Sequence, residues 1–139
     1  MAEPAIGYGT TLEVSSDGGI TWTAIAKLTS IGEVSIEADD VDVTAYDSPN
    51  GFREYIRGLA DAGELEFTGV WIADTTQTQV VNDLLGGPGG ALKDYRITLP
   101  GNLGTFECRG YVKGWSLNPQ LEDRIEFSGT LKLSGAPTM

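Results

Sequence analysis

The residues of this 139-residue chain that could carry chemistry are mainly carboxylates. Asp39, Asp40 and Asp42 stand close together, as in a hydrolytic pair or a calcium site. A calcium loop needs a tight turn with a glycine, whereas these acids alternate with valines as strand residues do. The chain has no histidine, which excludes a Ser-His-Asp triad and a His-ligated metal. We therefore expect a solvated acidic strand face, with no catalytic residue, no metal and no cofactor.

A second motif indicates a turn. Ser15, Asp17, Gly19, Thr21 and Trp22 fit the spacing of an Asp-box, the hairpin-turn motif of sialidase-like propellers. The Asp17 carboxylate can accept hydrogen bonds from nearby backbone amides, and Gly19 supplies backbone freedom. A propeller needs several such blades and the motif holds no catalytic group, so we interpret it as a structural hairpin.

Aromatic residues leave a binding function open. Trp71, Tyr111 and Trp115 could form a sugar-binding platform, which keeps a carbohydrate-binding or host-adhesion module as an alternative. Tryptophans on strands more often pack in the core or at a sheet edge. Cys108 falls on the apolar side of its segment, as a small buried hydrophobic residue does. The glycine-rich segment 86–90 follows a predicted helix and not a strand, so it is not a phosphate-binding loop.

The elements that position these residues are mostly β-strands, because polar and apolar residues alternate along much of the chain. The alternating segments are 31–43, 64–72, 92–99, 105–113 and 122–133. One buried and one solvated face per strand is typical of antiparallel sheets. Segments 10–14 and 21–28 flank the turn Asp17-Gly18-Gly19 and predict an opening hairpin.

One segment has helical periodicity instead. Asp74 is a suitable N-cap, Val80 and Leu84 begin an apolar stripe, and Gly86 is a suitable end, which predicts a helix over about 74–86. We predict a mostly β fold with a minor α component. It is an antiparallel β-sandwich or partly open barrel of about seven or eight strands with one flanking α-helix. The parts are an N-terminal arm 1–9, a domain 10–134 with a long loop 44–58, and a C-terminal tail 135–139.

The charge distribution favours some partners and excludes others. Twenty acidic and nine basic residues give a net charge of −11, which argues against a surface that binds DNA or an anionic membrane. No basic residue lies between Lys27 and Arg53, although six acidic residues do. Such a surface serves solubility or repels another polyanion. We expect neither a membrane span nor a signal peptide, and hence a soluble protein made inside the cell.

The loop 44–58 combines aromatic residues with arginine, the composition of interface hot spots. These side chains either form an interface or cover one end of the sheets. Long loops in compact domains are commonly functional.

The order of motifs resembles a known family. The chain opens with Tyr8–Val14 and the hairpin Ser16–Trp22, and continues with Ile31-Gly32-Glu33-Val34. Val41-Asp42-Val43-Thr44 then leads into Gly51–Gly58 and Leu59–Phe67. Over about residues 6–135 this order resembles the tail tube (major tail) proteins of long, flexible-tailed bacteriophages.

The resemblance implies two packed sheets with one helix. It also implies a homo-hexameric ring, stacked into a hollow virion tube, made in the cytoplasm of the host bacterium. Its partners would be other copies, the tape-measure protein inside the tube, and the tail terminator and distal tail proteins, while DNA passes through the lumen without specific binding. We expect the ring-stacking residues to be Ile6, Tyr8, Tyr46, Phe52, Arg53, Tyr55, Ile56 and Arg57. We expect the lumen-facing acids to be Glu33, Glu37, Asp39, Glu64 and Glu66.

Overall fold

A computed structural model describes residues 7–86 and 92–139, which form nine β-strands, one α-helix and a short 3-10 helix, Pro49–Gly51. The strands are β1 Thr11–Ser15, β2 Thr23–Ala24, β3 Leu28–Ile31, β4 Glu37–Asp42, β5 Tyr55–Asp61, β6 Glu64–Val70, β7 Lys93–Thr98, β8 Thr105–Asn118 and β9 Glu126–Leu133; the helix is α1 Thr75–Leu85. Every strand pairing is antiparallel. The predicted mostly β fold with one helix is confirmed.

Seven strands form one sheet in the order β2-β1-β7-β8-β9-β6-β3. The two edge strands, β2 and β3, are joined by only residues 25–27. A flat sheet of this size is about 29 Å across, at about 4.8 Å per strand spacing. The short connection can reach only about 14 Å. The sheet must therefore curl until its edges approach each other, which makes it the partly open barrel of the prediction.

The core lies on the concave side of this sheet. Buried residues alternate with partly exposed ones along β9, and β6 shows the same alternation, as the period-two pattern predicted. The Phe67 and Phe127 rings meet edge to face, with 6.3 Å between their centroids. Phe67 also lies over Gly129, where an added Cβ would stand 2.6 Å from Cζ of the ring. The close approach of this ring requires glycine at position 129.

The helix packs against the inner strand β8, and its first turn lies beside the β2–β3 connection. Its N-cap is Asp74, whose carboxylate accepts a hydrogen bond from the Thr76 amide at 3.1 Å, as the sequence predicted. The Gln77 side chain is fully buried. Its Nε2 donates to the carbonyl of Ala26 at 2.9 Å and to that of Val70 at 2.8 Å, so it joins the β2–β3 connection to the end of β6. The first turn of the helix thus ties the connection between the two edge strands to the end of β6.

The segment 31–43 differs from the prediction of a single half-buried strand, which is wrong. β3 ends at Ile31, β4 begins at Glu37, and all six residues of β4 are exposed. β4 pairs only with β5, in a separate two-stranded sheet. The predicted loop 44–58 is also shorter, because β5 begins at Tyr55. The alternation in the sequence does not mark a buried face here, since this hairpin has no layer against it among the described residues.

Candidate assembly surfaces

The projecting hairpin, which we define as residues 37–61, carries most of the predicted contact residues. Its two strands pair from Glu37 opposite Asp61 to Asp42 opposite Tyr55. Its loop is closed by side-chain bonds: the Glu54 amide donates to Oγ1 of Thr44 at 2.8 Å, and Oγ of Ser48 donates to the Glu54 carboxylate at 3.0 Å. Asn50 and Gly51 turn the chain at positive φ, 55° and 71°. The loop therefore holds a defined shape on an exposed ribbon.

Acidic and basic groups also meet along this ribbon. The Asp42 carboxylate accepts from the Thr44 amide at 2.9 Å, and bonds from the Thr44 side chain and amide lower the pKa of Asp42. The Arg53 guanidinium lies 3.6 Å from the Asp42 carboxylate. Both groups are well exposed, so solvent screens this pair.

Large apolar side chains on the hairpin have no cover. Tyr46 is fully exposed, and Leu59 and Phe52 are 86% and 72% exposed. Tyr55 and Ile56 follow each other in β5, so they point to opposite faces, and both are exposed. An accumulation of exposed apolar groups marks an interaction surface. Leu59 was not predicted from the sequence as a contact residue. Its exposure follows only from its place on a hairpin that packs against no other layer of the described chain, which no sequence pattern distinguishes from a place in the core.

The structure places the predicted stacking residues in two groups. Tyr46, Phe52, Arg53, Tyr55, Ile56 and Arg57 all lie on the projecting hairpin. Tyr8, 88% exposed, precedes β1 and lies near the β7–β8 loop, where an added Cβ on Gly9 would stand 3.6 Å from Cβ of Pro100. Ile6 lies outside the described residues.

Both groups leave the sheet at one end. Thr11, which begins β1, pairs with Thr98 at the end of β7. Thr98 in turn pairs with Thr105, which begins β8. The hairpin joins β6 at Glu64, opposite Lys132 near the end of β9. Because neighbouring strands alternate in direction, all these positions lie at the same end of the barrel. The projecting hairpin and residues 7–10, which are the start of the described chain, therefore share one pole of the molecule.

The predicted lumen acids are only partly brought together. The linker after β3 runs beside β6, with the Gly32 amide 2.6 Å from the Glu66 carbonyl, so Glu33 lies near Glu66 and Glu64. Glu37 and Asp39 lie further along, on β4. The Glu64 carboxylate accepts from Nζ of Lys113, which lowers the pKa of Glu64 and compensates its charge. The charge of Glu64 therefore contributes little to the electrostatic field around the molecule.

Net negative charge is concentrated in one segment. Residues 33–61 contain eight acidic and two basic residues, a net −6 out of −11 for the whole chain. The outward face of the sheet, by contrast, is crossed by ion pairs. Arg96 contacts Glu13 at 2.7 Å, and Arg109 contacts Asp94 at 3.1 Å. The strongest uncompensated field therefore comes from the hairpin and its linker.

The Asp-box forms a self-contained turn. Oδ1 of Asp17 accepts from Oγ of Ser15 at 2.7 Å and from the Thr21 amide at 2.9 Å. The bond from the Thr21 amide, followed by that from Ser15, lowers the pKa of Asp17 to about 2. The Trp22 ring lies under the Arg96 guanidinium, 4.4 Å from its centroid. The donors to this carboxylate, Ser15, Ile20 and Thr21, all belong to the turn itself, as in a structural hairpin.

Of the remaining candidates for chemistry, Trp71, Trp115 and Cys108 are packed, whereas Tyr111 is exposed. The Trp71 and Trp115 rings meet edge to face at 5.5 Å and are partly buried against the core, which favours packing over a sugar platform. Cys108 is buried, and burial raises the pKa of its thiol to about 11. Within residues 7–86 and 92–139 no group of acidic or cysteine side chains could hold a metal ion. No helix in this part of the chain is long and apolar enough to span a bilayer.

Comparison with known proteins agrees with this architecture. The fold is similar to the tail of an empty gene transfer agent particle solved with C6 symmetry. The TM-score is 0.80 at 18% identity, over 97% of this chain and 98% of that one. It is also similar to the SPP1 tail tube, with a TM-score of 0.67 at 16% identity, over 95% and 77% of the chains. A third similar structure is a PVC sheath/tube terminator, with a TM-score of 0.72 at 14% identity, over 98% and 96% of the chains.

No curated protein matches the chain. A family model, the lambda phage tail tube protein family, matches residues 8–139. This match covers nearly the whole chain and confirms the resemblance found in the sequence. The chain belongs to the lambda phage tail tube protein family and is a structural subunit of a virion tail tube, not an enzyme.

Proposed function

We propose that six copies of this chain form a ring, and that rings stack through the projecting hairpin and the N-terminal arm 1–9. The observation that carries the proposal is the shared pole: hairpin and chain start leave the barrel at the same end. A stacked tube needs a subunit whose two ends differ, with projecting segments at one end that reach the next ring. The similar gene transfer agent tail has C6 symmetry, which supports the number six.

The hairpin supplies the stacking energy in this proposal. An isolated two-stranded hairpin is marginally stable in water, so a partner layer stabilises it. Phe52, Tyr55 and Leu59 are exposed and would bury apolar area against the next ring. Aromatic residues beside arginine dominate the binding energy of many interfaces. Tyr46, Arg53, Ile56 and Arg57 complete this surface.

Ring closure would use the unpaired sheet edges. β3 is one edge of the large sheet, and β4 is hydrogen-bonded only to β5. An open strand edge presents backbone donors and acceptors that pair readily with another chain. In a cyclic assembly each copy offers one edge and accepts another, so every edge is covered.

The bore of the tube would carry the acidic segment. Glu33, Glu37 and Asp39 lie in the segment of net charge −6, and Glu64 and Glu66 lie beside its base. Carboxylates repel phosphates, whereas basic groups would bind them and slow DNA passage. The tape-measure protein before ejection, and the tail terminator and distal tail proteins at the two tube ends, are the further partners of this proposal.

The double variant Phe52→Ala/Tyr55→Ala tests the stacking surface. We expect it to fold with unchanged thermal stability, because both side chains are exposed. The concentration at which tubes form should rise roughly tenfold or more, since hot-spot residues each contribute on the order of 1.4 kcal/mol or above. Assembly is followed by light scattering and negative-stain electron microscopy.

The matched control is Leu85→Ala/Leu92→Ala, which removes two exposed apolar side chains near the end of α1 and the start of β7, away from the hairpin. It should assemble like the unmodified protein. Normal tubes from the Phe52/Tyr55 variant would exclude the hairpin as the stacking surface.

A further inference from the structure

One inner strand of the sheet has an open edge. β8 pairs with β7 over residues 105–110, but with β9 only from Gly110 onward. On the β9 side, residues 105–109 therefore lack a partner from any strand of the sheet. The Glu107 amide and carbonyl both face this side, because both bond there and not to β7. In a strand, alternate residues share this orientation, so Thr105 and Arg109 present their backbone groups to the same side.

The C-terminal segment covers this edge. The Ser134 amide donates to the Arg109 carbonyl at 2.8 Å. Thr138 exchanges two hydrogen bonds with Glu107, each 2.8 Å. In an unbroken ladder Glu107 would face Ala136, because Gly110 faces Leu133. The observed partner is Thr138, so two extra residues loop out, and Gly135 turns the chain at φ 82°.

The cover is held by its backbone and not by its side chains. Ser134, Gly135, Ala136, Thr138 and Met139 are all exposed. A cavity of about 360 Å³ lies between the looped-out residues, the Gly18–Gly19 turn and Trp22. A segment that buries so little adds little to the core. Its structural effect is to occupy the backbone groups of β8.

We propose that residues 134–138 are an edge guard: they satisfy the open edge of β8 and keep the free subunit from pairing there with other chains. Open edges are templates for uncontrolled sheet growth, and proteins cover them with loops. In a protein that must join its copies in a fixed geometry, an extra open edge would compete with correct joining. The inference concerns the free subunit and does not depend on the proposed ring or stacking contacts.

Truncation before Gly135 tests the guard. The shortened protein should keep its circular dichroism spectrum, but should form irregular, thioflavin-binding aggregates at a concentration roughly tenfold lower than the full chain, because the Glu107 amide and carbonyl lose their two bonds to Thr138 and become available to a second chain. Removal of Met139 alone is the matched control and should change nothing, since that side chain is 87% exposed. An unchanged onset concentration would overturn the proposal.

A rescue distinguishes the open edge from general destabilisation. In the truncated chain, Glu107→Pro removes the amide that faces the open side, while the bonds to β7 remain. It should restore the onset concentration of the full chain, whereas Glu107→Ala, which keeps the amide, should not. Equal behaviour of the two variants would contradict the edge mechanism.

A milder variant covers the case in which the truncated chain does not fold. In the full chain, Gly135→Ala strains the looped-out residues through its positive φ, with no clash, because nothing lies within 4 Å of the added Cβ. An onset shift in the same direction as that of the truncation supports the guard, and no shift in this folded variant refutes it.

Discussion

At the scale of single residues, the fully buried side chain of Gln77 ties separate segments of the chain together. Its amide bonds three backbone groups that belong to different parts of the barrel, Ala26, Val70 and Ile72. Gln77→Leu would leave these buried groups without partners, and we expect a loss of about 2–4 kcal/mol in the free energy of unfolding. Urea denaturation measures it. Gln79→Leu, on the exposed side of the same helix, is the control and should cost less than about 0.5 kcal/mol.

Asp17 gives a pH-dependent prediction at the same scale. Its pKa is about 2 in the folded protein, below the ordinary 3.8, because the turn donates hydrogen bonds to the carboxylate. A depressed folded pKa stabilises the protein above the unfolded pKa, and this contribution is lost as the pH falls towards the folded value. The thermal stability of the unmodified protein should therefore exceed that of Asp17→Asn above about pH 4, and the difference should shrink steadily as the pH falls from about 4 towards 2. A difference that stays constant over this range would exclude the carboxylate charge as its origin.

At the scale of elements, the ladder of β6 and β9 depends on one close approach. Gly129→Ala would place a methyl group 2.6 Å from the Phe67 ring, which is fully buried and packed edge to face with Phe127. We expect a loss of about 1–3 kcal/mol, the usual cost of overpacking. Gly114→Ala in β8 is the matched control, because nothing lies within 4 Å of its added Cβ. Calorimetry of both variants checks the prediction.

The same scale shows what the sequence could and could not predict. The helix over 75–85 could be predicted, because Asp74 and the apolar stripe from Val80 are local signals. The strands that contain the buried Phe67 and Phe127 could be predicted for the same reason. The break after Ile31 was not, because alternation looks the same on a half-buried strand and on a ribbon exposed on both faces. The hydrogen bonds of the Gln77 side chain could not be predicted either, because its partner Ala26 is distant in sequence.

The candidate surfaces likewise combine features that local sequence predicts with features that only the topology determines. Aromatic and arginine residues of 46–57 were found by composition, and the structure places them on one hairpin. The compensation of Glu64 by Lys113 required the register of separate strands, which no local pattern encodes. The shared pole of hairpin and chain start is likewise a property of topology alone.

At the scale of the whole molecule, charge and shape act together. Glu33→Lys/Glu37→Lys would lower the negative charge of residues 33–61 by four units, from −6 to −2. Both side chains are exposed, so we expect normal folding and tube formation. DNA release from particles built with this variant should be slower, because lysines bind phosphates. Single-particle ejection kinetics measure it, with Glu33→Gln/Glu37→Gln as the control that removes charge without adding a cation. Equal ejection rates for all three proteins would contradict the assignment of these residues to the bore.

The separateness of the hairpin has a consequence for growth control. Residues 37–61 form their own two-stranded sheet, and the core of the barrel is built almost wholly from other segments. A subunit with a shortened hairpin would keep its folded barrel and could still join the tube through its other end. It would give the next ring no stacking surface. Mixed into a growing tube, it would behave as a chain-terminating monomer does in polymer chemistry, so the dose of such a subunit would set the mean filament length.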